Sequence, residues 1–195
     1  MSSNDRLITS VTGVHLHGYS NDDVRCFYSS GPVFNYFPTN INEYFKNTGY
    51  IRMYETNIAS LSKSDFQPFG DKLKVFYFDR NPVEVIDRDL FGYNPNLEKI
   101  SFYFNRVKHV ENGALKNLQK LKMMYFSGNP SCAATDAHER SAVINLVAQI
   151  ESQCKNQQAY QKYLNQLPTT TTTSTTTEKV NSEQLTIRNH QGEDN

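Results

Sequence analysis

The chain has 195 residues, with 20 Lys+Arg against 20 Asp+Glu, 12 Tyr, 12 Phe, no Trp and three cysteines. That length holds one domain, or one domain and a tail. The zero net charge argues against electrostatic capture of nucleic acid or an anionic membrane, no window reaches the roughly 18 apolar residues of a membrane span, and three cysteines are too few for a disulfide scaffold.

The opening MSSNDRLITS has no apolar core of a secretory signal. As written, the chain is expected to be cytosolic, to have lost its signal, or to lack a first exon. In HLHGY, His15 and His17 are explained by alternation along a strand, and no third metal ligand is placed by sequence. Residues 1–48 are expected to form an N-terminal cap and a degenerate edge repeat, with Val24, Cys26, Ser29 and Phe45 in core slots. That slot makes Cys26 a small buried hydrophobe; the alternative is a disulfide partner upstream of Met1.

Residues 49–130 carry a repeat. LKVFYFDRN, LEKISFYFN and LKMMYFSGN each end on an asparagine, at Asn81, Asn105 and Asn129, 24 residues apart. Relative to that asparagine, apolar residues recur at −8, −5, −3, +2, +5 and about +10. One copy is Leu73, Phe76, Phe78, Asn81, Val83, Ile86, Phe91; the next is Leu97, Ile100, Phe102, Asn105, Val107, Val110, Leu115. The third begins Leu121, Met124, Phe126, Asn129. A weaker copy upstream is Ile51, Met53, Thr56, Ile58, Leu61, Phe66, with Thr in the asparagine slot.

Such a unit is a strand, a turn and a return segment, and it cannot bury its own apolar face. Stacked units form a parallel sheet over one continuous core. Where each coil turns inward, backbone N–H and C=O groups are buried and need partners. A carboxamide donates and accepts at once, so Asn81, Asn105 and Asn129 are expected to form a ladder between coils. The competing account, an ordinary α/β protein whose strands end on a common turn residue, leaves the equal spacing unexplained.

After Asn129 the repeat breaks. Asp136 and Glu139 resemble a capping box, and Val143, Leu146, Val147, Ile150 and Cys154 then follow helical spacing on one face. Residues 131–167 are thus expected to be a C-terminal helical cap, with Ser152 to Leu167 continuing or following the helix and then fraying. Residues 168–195 cannot pack: Thr169 to Thr177 holds eight Thr and one Ser beside Pro168. Such a tract reads as an O-glycosylated stalk or as a disordered tail. No N-x-[ST] sequon occurs.

The motif L-x-x-L-x-L-x-x-N-x-L over these coils resembles the leucine-rich repeat. With the NPSC…helix…C ending, Val11 to Cys154 is similar to the extracellular leucine-rich-repeat proteins of arthropods, relatives of Toll-like and chaoptin-like ectodomains. The resemblance implies a right-handed α/β solenoid, a short horseshoe with its parallel sheet on the concave face. It also implies a Cys132–Cys154 disulfide, against two reduced thiols in a cytosolic protein, and a secreted or cell-surface setting in innate immunity, adhesion or receptor modulation. That family usually opens with its own cysteine-containing cap, for which only Cys26 is available here.

No catalytic constellation stands out. Asp87 and Asp89 suit a turn, Cys132 with His138 is undercut by cap oxidation, and no phosphate loop, G-x-S-x-G or Cys/His metal spacing occurs; no cofactor is called for. What remains is the outward face of the sheet, set by period-two alternation. Tyr50, Arg52, Tyr54, Tyr77, Asp79, Lys99, Tyr103 and Tyr125 are the candidates to bind a protein ligand, Tyr and Arg being the usual carriers of interface energy. Cross-strand stacking would account for the tyrosines as well. A cytosolic scaffold docking a signalling partner is the alternative function.

Overall fold

The computed structural model describes residues 14–31, 34–38, 40–132 and 135–167; the Thr-rich tail and the first residues of the N-terminal cap lie outside them. Five strands, β1 (Cys26–Ser30), β2 (Tyr50–Tyr54), β3 (Val75–Asp79), β5 (Lys99–Ser101) and β7 (Met123–Tyr125), form one parallel sheet in chain order. A second parallel pair, β4 (Val85–Ile86) and β6 (His109–Val110), runs along the return segments. One-turn helices α1 (Ile41–Tyr44) and α2 (Lys63–Phe66) complete the early coils, and α3 (Arg140–Gln153) and α4 (Gln157–Leu164) follow the last strand.

The core follows the apolar slots. Every member of the two full repeats except the asparagines, from Leu73 to Leu115, is an apolar side chain at most 2% exposed, and all belong to one cluster. The wide half of each coil is filled by phenylalanine: Phe66 packs on Phe76 at 4.8 Å and on Phe91 at 5.1 Å, and Phe37 reaches Phe66 at 5.1 Å. Aromatic pairs at such distances add about 0.5–1.5 kcal/mol each beyond area burial.

The coil bends are held by carboxamides. Asn81 Oδ1 accepts from the Thr56 backbone N–H and hydroxyl, both at 2.9 Å, while its Nδ2 donates to the Met53 and Asp79 carbonyls at 3.1 and 2.9 Å. Asn105 Nδ2 donates to Phe78 and Tyr103 carbonyls. Asn129 Oδ1 accepts from Val107 N–H, and its Nδ2 donates to the Phe102 and Phe126 carbonyls. Asn94, fully buried, does a similar task on the far side of the coil, donating to Phe66 and Gly70 carbonyls.

Directly before these bends lies a column of left-handed residues: Gly31, Glu55, Arg80, Phe104 and Gly128, with φ between 51° and 87°. Each N–H of the first four donates to a carbonyl of the next coil: Gly31 to Tyr54, Glu55 to Asp79, Arg80 to Tyr103, Phe104 to Ser127. Left-handed backbone costs a non-glycine residue about 1–2 kcal/mol. The inter-coil bond and side-chain contacts along the column offset it: Glu55 lies 3.9 Å from Arg80, whose guanidinium stands 5.1 Å over the Phe104 ring.

The C-terminal end is closed. Ala137 exchanges two 2.8 Å backbone bonds with Met124, an antiparallel bridge on the edge of β7. Val143, Leu146, Val147 and Ile150 of α3 enter the core, and Cys132 is disulfide-bonded to Cys154 with Cα atoms 5.2 Å apart.

Three expectations are corrected. Asp136 does not open a capping box: its carboxylate accepts from Phe126 N–H, Ser127 N–H and Ser127 hydroxyl, so it seals the end of β7, and Glu139 precedes α3 without a side-chain cap. The segment after α3 does not simply fray. Asn156 caps α4, which folds back so that Ala159 and Tyr163 pack on Val85 and the Tyr163 hydroxyl donates to the Leu61 carbonyl at 3.1 Å. Cys26 is not in a core slot. The register pairs Cys26 with Tyr50 and Phe27 with Ile51, so Phe27 is the buried residue and Cys26 lies half-buried on the outward face as a free thiol.

Candidate functional site

The parallel register turns the outward residues into rows across the strands. One row is Cys26, Tyr50, Val75, Lys99 and Met123; the next is Tyr28, Arg52, Tyr77, Ser101 and Tyr125; a third holds Ser30, Tyr54 and Asp79. All eight candidate residues lie on this side or, for Tyr103, on the turn just past β5. Tyr28 joins them, although nothing in the weak first repeat marked it; with Phe27 rather than Cys26 in the buried slot, it faces outward.

The tyrosines touch one another through ring edges. Tyr50 meets Tyr77 at 5.6 Å and 72°, Tyr77 meets Tyr125 at 6.0 Å and 90°, and Tyr125 meets His138 at 5.3 Å. Tyr103 packs on Phe104 at 4.5 Å. Edge-to-face contact fixes each ring with only two side-chain torsions to restrict, leaving a pre-ordered, half-buried aromatic surface. Burial pushes the Tyr77 hydroxyl up to about 12 and raises Tyr50 as well, so both remain protonated hydrogen-bond donors at neutral pH.

Asp79 is different from the other candidates. It is only 8% exposed and accepts a hydrogen bond from the Ser101 hydroxyl. Burial raises its carboxyl above the ordinary range, with the Ser101 hydrogen bond and Arg52 pulling the other way. Cys26 is likewise raised by burial, which makes it a poor thiolate at neutral pH.

The remaining chemistry-bearing residues are scattered. His15 bonds Asn21 at 2.7 Å, Asp89 lies 3.9 Å from Lys63, and Cys132 is oxidised. Asp87 accepts from the Tyr160 hydroxyl at 3.2 Å, and the Tyr160 ring lies flat on His109 at 4.5 Å. His109 is fully buried, with Nε2 at 2.9 Å from Glu111, and that hydrogen bond holds the Glu111 carboxyl below its ordinary value. These contacts fasten α4 to the return segments. Among the described residues, no group of three His, Cys, Asp or Glu side chains is placed to hold a metal ion, and no helix is long and apolar enough to cross a membrane.

A leucine rich repeat family model matches residues 71–130, the stretch bearing Asn81, Asn105 and Asn129. Decorin of Rattus norvegicus is 31% identical over 77 residues, covering 40% of this chain and 21% of decorin. Among solved structures, a chain of the Toll–Spatzle complex, a molecular hub in Drosophila development and innate immunity, superposes with a TM-score of 0.51 at 17% identity, over 58% of this chain and 15% of that one. The chain therefore spans about a fifth or less of the length of either protein. At that identity the structural likeness speaks to the fold.

Proposed function

Starting from a chain that is a leucine-rich-repeat protein, we propose that it is a non-enzymatic recognition module that binds a protein ligand on the outward face of its sheet, in an extracellular setting. The observation that carries this reading is the run of edge-packed tyrosines Tyr50, Tyr77 and Tyr125, with Arg52 beside the first two. Rigid aromatics with a polar tip supply contact area at small entropic cost, and Tyr and Arg are over-represented among residues that dominate binding energy. The Cys132–Cys154 disulfide supports the oxidising compartment.

The test immobilises the purified protein and compares what it retains from native fluid with the retention by a variant carrying Tyr77→Ala, Tyr103→Ala and Tyr125→Ala. The expected result is loss of a specifically retained protein while the variant's melting remains cooperative. Equal retention by both proteins, with the variant folded, removes the outward face from consideration.

A further inference from the structure

The outward face holds more positive than negative charge. Across β1, β2, β3, β5 and β7 its outward side chains include two cations, Arg52 and Lys99, and one acid, Asp79, which is nearly buried and bonded to Ser101. Arg80 is matched at the rim by Glu55. Among the described residues, no carboxylate forms a close ion pair with Arg52: its side chain is hydrogen-bonded to Tyr50 and attracted by the nearly buried Asp79, while its Nε is buried with no hydrogen-bond partner. A buried donor left without an acceptor is unfavourable, and each such group calls for an explanation.

The surroundings of Arg52 are distinctive. Tyr28 and Tyr77 are its neighbours across the strands, and Tyr50 and Tyr54 lie two residues before and after it on the same face. A tyrosine thus stands on each of four sides, with the guanidinium 6.0 Å over the Tyr28 ring. Lys99, by contrast, has Val75 and Met123 across the strands and Ser101 beside it. A guanidinium walled by rings is partly shielded from water, where an incoming anion is attracted more strongly than on an open surface. Its fork of N–H donors matches a carboxylate in two-point geometry, and protonated phenols around it add donors to the same anion.

We infer that the tyrosine-walled Arg52 is a subsite for a single acidic side chain, Asp or Glu, of a peptide segment of the ligand. This rests on the outward face being the binding face. The site fits one carboxylate better than a polyanionic chain: two cations on the face neutralise too few charges for the many-phosphate or many-sulfate contact that holds such polymers, while the tyrosines suit peptide side chains.

The test follows the Arg52 Nε–H resonance by NMR in the folded full chain during titration with acetyl-Gly-Glu-Gly-amide, acetyl-Gly-Gln-Gly-amide or a heparin tetrasaccharide, each to concentrations on the order of 10 mM. The expected result is a saturable shift with the Glu peptide and none with the Gln peptide. In Arg52→Gln, followed by the Tyr28 and Tyr77 backbone amides, affinity for the Glu peptide falls at least about tenfold, whereas Lys99→Gln changes it less than about threefold. No Arg52 shift, equal shifts with both peptides, or unchanged affinity in Arg52→Gln overturns the subsite. So does a heparin fragment acting at Arg52 at lower concentration than the Glu peptide, which assigns the face to sulfated polysaccharide. If the peptide results fail while the triple tyrosine variant still loses its retained protein, the binding face stands and only the Arg52 subsite falls.

Discussion

The Phe104 ring lies against the backbone of Gly128, its counterpart one coil later: a Cβ at residue 128 would come within 2.6 Å of ring Cδ2 and 2.8 Å of Cγ. Gly128 also has φ of 80°, so an L side chain there meets both backbone strain and a ring. Gly128→Ala is expected to lower stability by about 1–3 kcal/mol, seen as a lower urea midpoint at constant slope. Adding Phe104→Ala is expected to return the ring's part of the cost and leave the backbone strain and the 3.0 Å approach to the Phe104 Cα. Full independence of the two changes would show that the ring and the glycine do not communicate.

The three ladder asparagines are expected to differ in worth. Asn81 makes four hydrogen bonds, and Asn129 uses both ends of its carboxamide. Asn105 bonds only through Nδ2, and its Oδ1 is buried without a partner. Replacing Asn81 or Asn129 by Ala is expected to cost roughly 2–4 kcal/mol, because several buried backbone groups lose partners together. Asn105→Ala costs less, since it also removes an unsatisfied oxygen. Equilibrium unfolding of the three variants ranks them; Asn105 as the costliest position would contradict the geometry.

Asp79 gives a pH signature. Its carboxyl is raised in the folded protein above its ordinary 3.8, so the folded state holds the proton more tightly than the unfolded chain. The contribution of Asp79 to stability is therefore greatest below 3.8 and is lost as pH rises through the folded value. Asp79→Asn keeps an acceptor for Ser101 and removes the buried charge. Its stability relative to wild type is expected to improve from acid toward neutral pH and then level off. Denaturant unfolding between about pH 3 and pH 7 measures this, and a difference independent of pH would be the wrong outcome.

The disulfide closes a loop with a sequence separation of 22, for which chain entropy gives about 3 kcal/mol. Paired Cys132→Ser and Cys154→Ser changes are expected to destabilise the protein by roughly that amount. In the native form, thiol titration after denaturation without reductant is expected to find one thiol, Cys26. Finding three would place the purified protein in a reduced state and weaken the extracellular reading.

The parts of this fold that were readable in the sequence are those where one slot has one dominant occupant. Leu73, Phe76 and Phe78 bury without rival, so the strand faces followed directly. In CFYSS both Cys26 and Phe27 are apolar, and a slip of one residue exchanges the two faces of a strand; burying the larger Phe27 decides the register, which spacing alone did not. Asp136 looked like a helix cap because its four-residue window resembles one, but the open backbone N–H groups of Phe126 and Ser127 are neighbours in space only. For the same reason α4 went unread: its Ala159 and Tyr163 meet Val85 and Leu61, with 102 residues separating Leu61 from Tyr163. The four-sided tyrosine enclosure of Arg52 needed two adjacent strands in register, and one of them belonged to the faintest repeat.

The Ala137–Met124 bridge also limits how such a molecule can grow. With the final strand edge already occupied, extra units have no place downstream, whereas a duplicate of residues 82–105 carries its own asparagine, its own rim residue and a whole 24-residue period. Copying that cassette would lengthen the array by one rung without touching either terminus, so lineages or designers could widen the tyrosine surface by interior duplication alone.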